Sequence, residues 1–238
     1  MIARIKFTKI GSAKFIGHLD LLRYFQKAFK RANLDLAYSQ GYNRRQITTF
    51  VSRLGVGLTS EGEYLDLTLN SSDKPEQMIE RINKVMTNNI QVVDYTILPD
   101  NSKNAMSVVA AADYIVSLKD GYDFVSIEQF QEKFKKFYKQ EDITIIKKTK
   151  KSEREINLKP LIYKYDFSEN EICVYLQLGT GSVNNIKPEL VIETFCDYID
   201  FPYNPFAFGV HRLEIYANKS KNNTVEFIAL DEMYKNIS

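Results

Sequence analysis

Residues Lys14 to Gly57 read KFIGHLDLLRYFQKAFKRANLDLAYSQGYNRRQITTFVSRLGVG, and the helix at their centre decides what the flanking sequence must be. From Leu19 to Ala32 the apolar residues Leu22, Phe25, Ala28, Phe29 and Ala32 recur at three- and four-residue steps, while Arg23, Lys27, Lys30 and Arg31 fall between them. That spacing predicts an amphipathic helix with a basic outer face. Before it, Ile5 and Phe7 alternate with Arg4 and Lys6, which predicts a strand from Ile2 to Ile10 with one wet face, closed by a turn at Gly11. After it, Gln46 to Phe50 and Glu63 to Asn70 read as extended, joined through the glycine-rich Gly55 to Gly62. A second helix is expected from Lys74 to Met86, with Asp73 as N-cap, Pro75 in the first turn and Met78, Ile79, Ile82 and Val85 or Met86 inward, followed by a strand from Ile90 to Leu98. Strand, helix, strand, strand, helix, strand is the order of the ferredoxin-like split unit.

The polar stretch PDNSKNAMS, Pro99 to Ser107, reads as a linker. Beyond it the order recurs: strand Ala112 to Lys119, helix Ser126 to Lys139, strand Ile143 to Thr149, strands Glu155 to Asp166 and Glu171 to Leu178, helix Pro188 to Tyr198 and strand Phe208 to Ala217. The expected fold is therefore α+β, with two tandem ferredoxin-like (βαββαβ) units, the second carrying an extra β-hairpin strand. The units span residues 1–99 and 108–217, and a C-terminal extension covers 218–238, with Val225 to Leu230 as a final edge strand or a docked extension and the rest frayed.

The chain has 238 residues, 44% of them hydrophobic and 13% aromatic, enough for substantial cores. Thirty-two Lys and Arg against 30 Asp and Glu leave a net charge of +2, so any attraction for anions must come from local patches. Cys173 and Cys196 are too far apart for a Cys-x-x-Cys motif and read as core thiols. No apolar run approaches the roughly 20 residues of a membrane span and no signal peptide is recognisable, so a cytoplasmic protein without membrane contact is expected.

The helix start with Phe15, His18, Leu19 and Asp20, the loop Gly41, Tyr42, Asn43, and the later Asn157, Leu158, Lys159, Pro160 together resemble the bacterial radical-SAM-linked proteins, a domain-of-unknown-function family found beside or fused to radical SAM enzymes. The resemblance implies a radical SAM enzyme as partner. This chain departs from that pattern in two places. Arg44, Arg45, Gln46 and Ile47 replace a Pro-x-Pro-lysine feature, and Asn157 and Lys159 replace an aspartate and an arginine. Iron–sulfur ligation in a radical SAM catalyst needs three closely spaced cysteines, so this chain, with two in all, is not itself that catalyst.

Three groups of residues could carry function. His18 could act as a general base at the helix start beside Asp20, or simply pack there. Tyr42, Asn43, Arg44 and Arg45, with Arg53 nearby, combine a ring, an amide and guanidinium groups in one loop, as single-stranded RNA sites do, or form a solvated loop. Lys147, Lys148, Lys150 and Lys151, with Arg154, mark a basic hairpin tip that can attract phosphate or merely keep an edge soluble. GTGS at Gly179 to Ser182 reads as a turn, and with His211 the only other histidine, no metal site and no cofactor is expected.

Two functions follow. The first is an accessory binding protein that works with a radical SAM enzyme by presenting RNA or a protein substrate. The alternative is a metal-independent endoribonuclease resembling the CRISPR repeat-processing enzymes, with His18, Tyr42 and Arg45 as acid/base and phosphate-stabilising groups.

Overall fold

The computed structural model describes residues 1–122, 125–148, 153–181, 185–219 and 226–235. In chain order its elements are β1 (Ile2–Lys9), α1 (His18–Arg31), β2 (Thr48–Phe50), β3 (Thr59–Thr68), α2 (Pro75–Asn83), β4 (Val92–Leu98), α3 (Ala105–Val108), β5 (Val109–Leu118), α4 (Ile127–Tyr138), β6 (Thr144–Lys148), β7 (Glu153–Asn157), β8 (Ile162–Phe167), β9 (Cys173–Gly179), α5 (Pro188–Tyr198), β10 (Phe208–Asn218) and β11 (Phe227–Ala229). It is a mixed α/β molecule with mostly antiparallel strands. The chain forms two compact units: Met1–Ala110 with Arg212–Ser238, and Ala111–His211.

In the first unit the strand order is β4-β1-β3-β10, with β2 also on β3 and β11 on β10. β1 runs antiparallel to both β3 and β4, with Ile5 opposite Leu65 on one side and Tyr95 on the other. The β3–β10 approach depends on Gly62, because a Cβ there would meet the Leu213 carbonyl oxygen at 2.4 Å. Phe7, Phe25, Phe29, Phe50, Leu65, Met78 and Ile82 fill the space between the sheet and the helices α1 and α2. Phe7 meets Phe25 edge-on at 4.7 Å between ring centroids. Burying each such ring contributes on the order of 1.5–3 kcal/mol.

In the second unit β9 pairs with both β5 and β8, giving the order β5-β9-β8, while β6 and β7 form a separate two-stranded hairpin. α4 starts with a capping box, Ser126 accepting from the Gln129 amide while the Gln129 side chain accepts from the Ser126 amide. Its Phe130, Phe134 and Phe137 recur at three- and four-residue steps, all buried, and meet Phe195 of α5.

Several expectations need correction. The wet face of β1 is covered: Arg4 forms a two-toothed ion pair with Asp66, and Lys6 meets Glu214 and Asp231. β11 forms the expected edge strand on β10, with the Leu230 carbonyl accepting from Arg4, but residues 231–235 are tied in rather than frayed, since Asp231 meets Lys6 and Lys235 reaches Asp94. The N-cap of α2 is Lys74, because Asp73 turns instead to Arg81. The expected linker contains α3, capped by Asn104, with Ala105 buried. The strand expected over Glu155 to Asp166 breaks in two, since the Asn157 side chain accepts from the amides of Ile143 and Lys159 and turns the chain.

Candidate functional site

α1 turns Leu21, Phe25, Ala28 and Phe29 into the core, so the opposite side carries Arg23, Lys27 and Lys30, all exposed. Arg23 is partly neutralised by Asp20 at 3.0 Å. Arg31 lies on another flank and donates to the Val85 carbonyl. What remains is a cationic strip along the helix. Local charge of this kind attracts phosphates although the whole chain is nearly neutral.

Beside this strip lies the loop of Tyr42, Asn43, Arg44 and Arg45, all exposed, with the Tyr42 ring wholly in solvent. The loop is nonetheless pinned. The Ser39 amide donates to the Arg45 carbonyl and the Arg45 amide to Ser39 Oγ, while Gly41 takes a φ of +104° that favours glycine. Gln46, directly after it, is buried and donates through Nε2 to the Gln26 carbonyl of α1. Gln46 Oε1 and Thr48 Oγ1 are buried with no hydrogen-bond partner among the described residues, so two acceptors at the foot of the loop lack donors.

His18 is the first residue of α1, with Gly17 as N-cap. Its ring packs edge-on to Phe50 at 5.1 Å. Partial burial and then the nearby Arg53 guanidinium hold its imidazole below the ordinary value of 6.5, favouring the neutral form. Gln46 is fixed at Gln26, eight residues along α1 from His18, which is about 12 Å of helix. The structure therefore brings Arg53 to His18 and sets the Tyr42–Arg45 loop farther along. Among the described residues no hydrogen bond, ion pair or ring contact joins His18 to that loop. Phe15, Leu19 and Val56, all exposed, surround His18 with apolar surface, and Val56 Cγ2 would lie 4.0 Å from a Cβ at Gly17.

The second basic cluster belongs to the other unit. Lys147 and Lys148 end β6, opposite Arg154 and Glu153 of β7, and Lys150 and Lys151 lie outside the described residues. The Asn157–Pro160 element closes the C-terminus of α4: Lys159 Nζ donates to the Tyr138 and Gln140 carbonyls and stands 3.9 Å from the Tyr138 ring centroid. A cation at that helix end is favourable and keeps Lys159 occupied. Cys173 and Cys196 are buried thiols, each pushed up to about 11 by burial.

Sequence reasoning missed a buried charge cluster behind the His18 end. Glu63 accepts from Arg212 Nη1 at 2.9 and 3.2 Å, Arg212 Nη2 donates to the Arg53 carbonyl, and Lys9 donates to the Lys14 carbonyl. Burial raises the Glu63 carboxyl while Arg212, Ser60 and Lys9 pull it back, so the cluster anchors the Lys14 and Arg53 segments from beneath. The available signal was Lys9, which shares the strand parity of the apolar Ile5 and Phe7.

No helix among the described residues is long and apolar enough to cross a membrane, and no group of three or more His, Cys, Asp or Glu side chains among them is placed to hold a metal ion. No curated protein matches the chain. The model of the bacterial family described as "Uncharacterized protein conserved in bacteria (DUF2344)" matches residues 3–188, more than half of the sequence and all of the α1 surface, and the chain belongs to that family.

Proposed function

We propose that this protein binds a single-stranded RNA segment along the outer face of α1 and the Tyr42–Arg45 loop, and presents it to a partner enzyme. The observation that carries this reading is the wholly exposed Tyr42 ring beside Arg44 and Arg45, on a loop pinned through the Arg45 backbone at Ser39 and through the Gln46 side chain at Gln26. An exposed ring on a fixed base offers a stacking platform, and the flanking cations, with Lys27 and Lys30, supply phosphate contacts. Binding is favoured over cleavage because His18 has no hydrogen-bonded orienting partner among the described residues and stands apart from the loop. The partner is the radical SAM enzyme that the helix-start and loop residues imply, in the cytoplasm, and the exposed Phe15, Leu19 and Val56 suit a protein contact. Each unit is read as ferredoxin-like. The orders β4-β1-β3, with β2 on β3, and β5-β9-β8 support this, with the β6–β7 hairpin as the addition.

Fluorescence anisotropy with a labelled 12-nucleotide single-stranded RNA, at rising salt, tests the reading. Tyr42→Ala should weaken binding by about 1–3 kcal/mol, the value of one lost base stack. Arg44→Ala with Arg45→Ala should flatten the log–log salt slope by about 1.4, at about 0.7 per single-strand phosphate contact. Absence of binding at low salt, or affinity indifferent to all three substitutions, removes it. Copurification of the radical SAM enzyme with the wild-type chain, reduced by Leu19→Lys, tests the partner separately.

A further inference from the structure

A groove of about 750 Å³ in the second unit lies between β6 and the outer side of α5. Its lining takes Thr144, Ile145 and Ile146 from β6 and none of the described residues of β7, so it borders the edge of β6 that β7 leaves open. The Leu158 amide donates to the Ile143 carbonyl, and the register pairs Ile145 with Ile156. In an antiparallel ladder such bonds fall on alternate residues, so the backbone groups of Thr144 and Ile146 point to the open edge. That is a short row of donors and acceptors beside a cavity.

We propose that this groove receives an extended, lysine- or arginine-rich segment of a partner protein, added as a strand to β6. α5 borders the groove with Glu193 and Asp197, both exposed and without an ion pair among the described residues, and from Pro188 to Tyr198 it carries no lysine or arginine. Ile146, 63% exposed, and Tyr198, 44% exposed, add apolar surface on either wall. A strand laid on β6 would bond through its backbone while alternate side chains face the carboxylates, the usual division between affinity and specificity in strand addition. The lengths agree: four or five residues of strand span about 15 Å, and α5 from Leu190 to Tyr198 rises about 12 Å. Lys147 and Lys148 continue β6, so the cationic part of the segment belongs over the Thr144–Ile146 end. Phosphate-bearing chains are repelled by the same carboxylates, which sets this surface apart from the α1 strip.

The probe is a fluorescein-labelled peptide, Lys-Val-Lys-Val-Lys-Val-Lys, titrated with the full chain at low salt. Four comparisons accompany it: the Glu-for-Lys counterpart, a version N-methylated at every residue, and two protein variants. Binding of the lysine peptide alone is expected, with about a tenfold loss in Glu193→Gln/Asp197→Asn that shrinks as salt rises. N-methylation at every residue, which removes the backbone donors from both edges and keeps the side chains, should cost at least about tenfold. Ile146→Pro should abolish binding, because it removes a donor from the open edge and none from the β7 side. Glu193 and Asp197 are exposed, so their double variant folds whatever proline does to the hairpin. Absence of lysine-peptide binding, equal affinity for the N-methylated peptide, or indifference to the carboxylate variant overturns the proposal. So does dimerisation of the chain, or binding of an RNA oligomer, that Ile146→Pro removes.

Discussion

The two units hold their interiors together by different physics. In the second, Phe130, Phe134, Phe137 and Phe195 meet ring to ring at centroid distances of 5.1–6.1 Å. In the first, aromatic packing around Phe7 and Phe25 is accompanied by Arg4, Lys9, Glu63 and Arg212, each no more than 4% exposed. Rings tolerate approximate neighbours, because dispersion and hydrophobic burial have little directionality. A buried carboxylate does not. It is stable only where a specific partner stands, and the difference assigns each unit its own mode of failure.

The largest expected effect is in the aromatic interior. Phe134→Ala should destabilise the protein by about 3–5 kcal/mol in denaturant unfolding, through lost burial and the cavity left behind. A loss below about 1 kcal/mol would mean that the second unit's core can collapse around the gap. Next, Glu63→Gln should cost about 3 kcal/mol, the lower end for a broken buried pair because the amide still accepts a hydrogen bond, since the Arg212 guanidinium and the Lys9 ammonium lose the charge they face. The companion variant Glu63→Leu/Arg212→Met should recover most of that loss, and a pair as damaging as the single change would show that the ion pair specifies the fold beyond its own energy.

The smallest effect concerns the rim of the first unit. The His18 titration, followed by NMR, should fall below 6.5. Arg53→Ala should move it only part of the way back, because burial is the larger cause. The sign follows from linkage. With the folded value below the unfolded one, the unfolded chain binds more protons, so the stability contributed by His18 is present above about 6.5 and is lost as pH falls below it. His18→Gln should abolish that part of the acid sensitivity.

Much of this was legible because it is local. The three- and four-residue spacing of Phe25, Ala28, Phe29 and Ala32 gave α1 its inward face, and the exposed strip of Arg23, Lys27 and Lys30 followed as the complement. The Tyr42–Arg45 loop could likewise be read from Gly41 and the charges after it. What escaped was non-local. Arg4 and Lys6 alternate with apolar residues as a wet face would, and only Asp66, Glu214 and Asp231, contributed by β3, β10 and the segment after β11, show that this face is covered. Asn157 stood in the sequence as part of a family element, yet it is a turn-former whose side-chain bonds separate β7 from β8. The α5 groove was invisible for the same reason: Glu193 and Asp197 acquire meaning only beside an open strand edge that a chain read in one dimension does not contain.

Arg212 and Leu230 serve the first unit, yet the ribosome delivers them only after the whole of the second. Glu63 is separated from its partner by 149 residues, and Arg4 from its carbonyl acceptor by 226. At about 5–20 residues per second, the Glu63 carboxylate waits roughly 7–30 s for its guanidinium. During that interval β1 and β3 can pair, but their charged side chains have to stay hydrated. The aromatic unit, contiguous in sequence, is free to fold first, and the unit that opens the chain is the last to close.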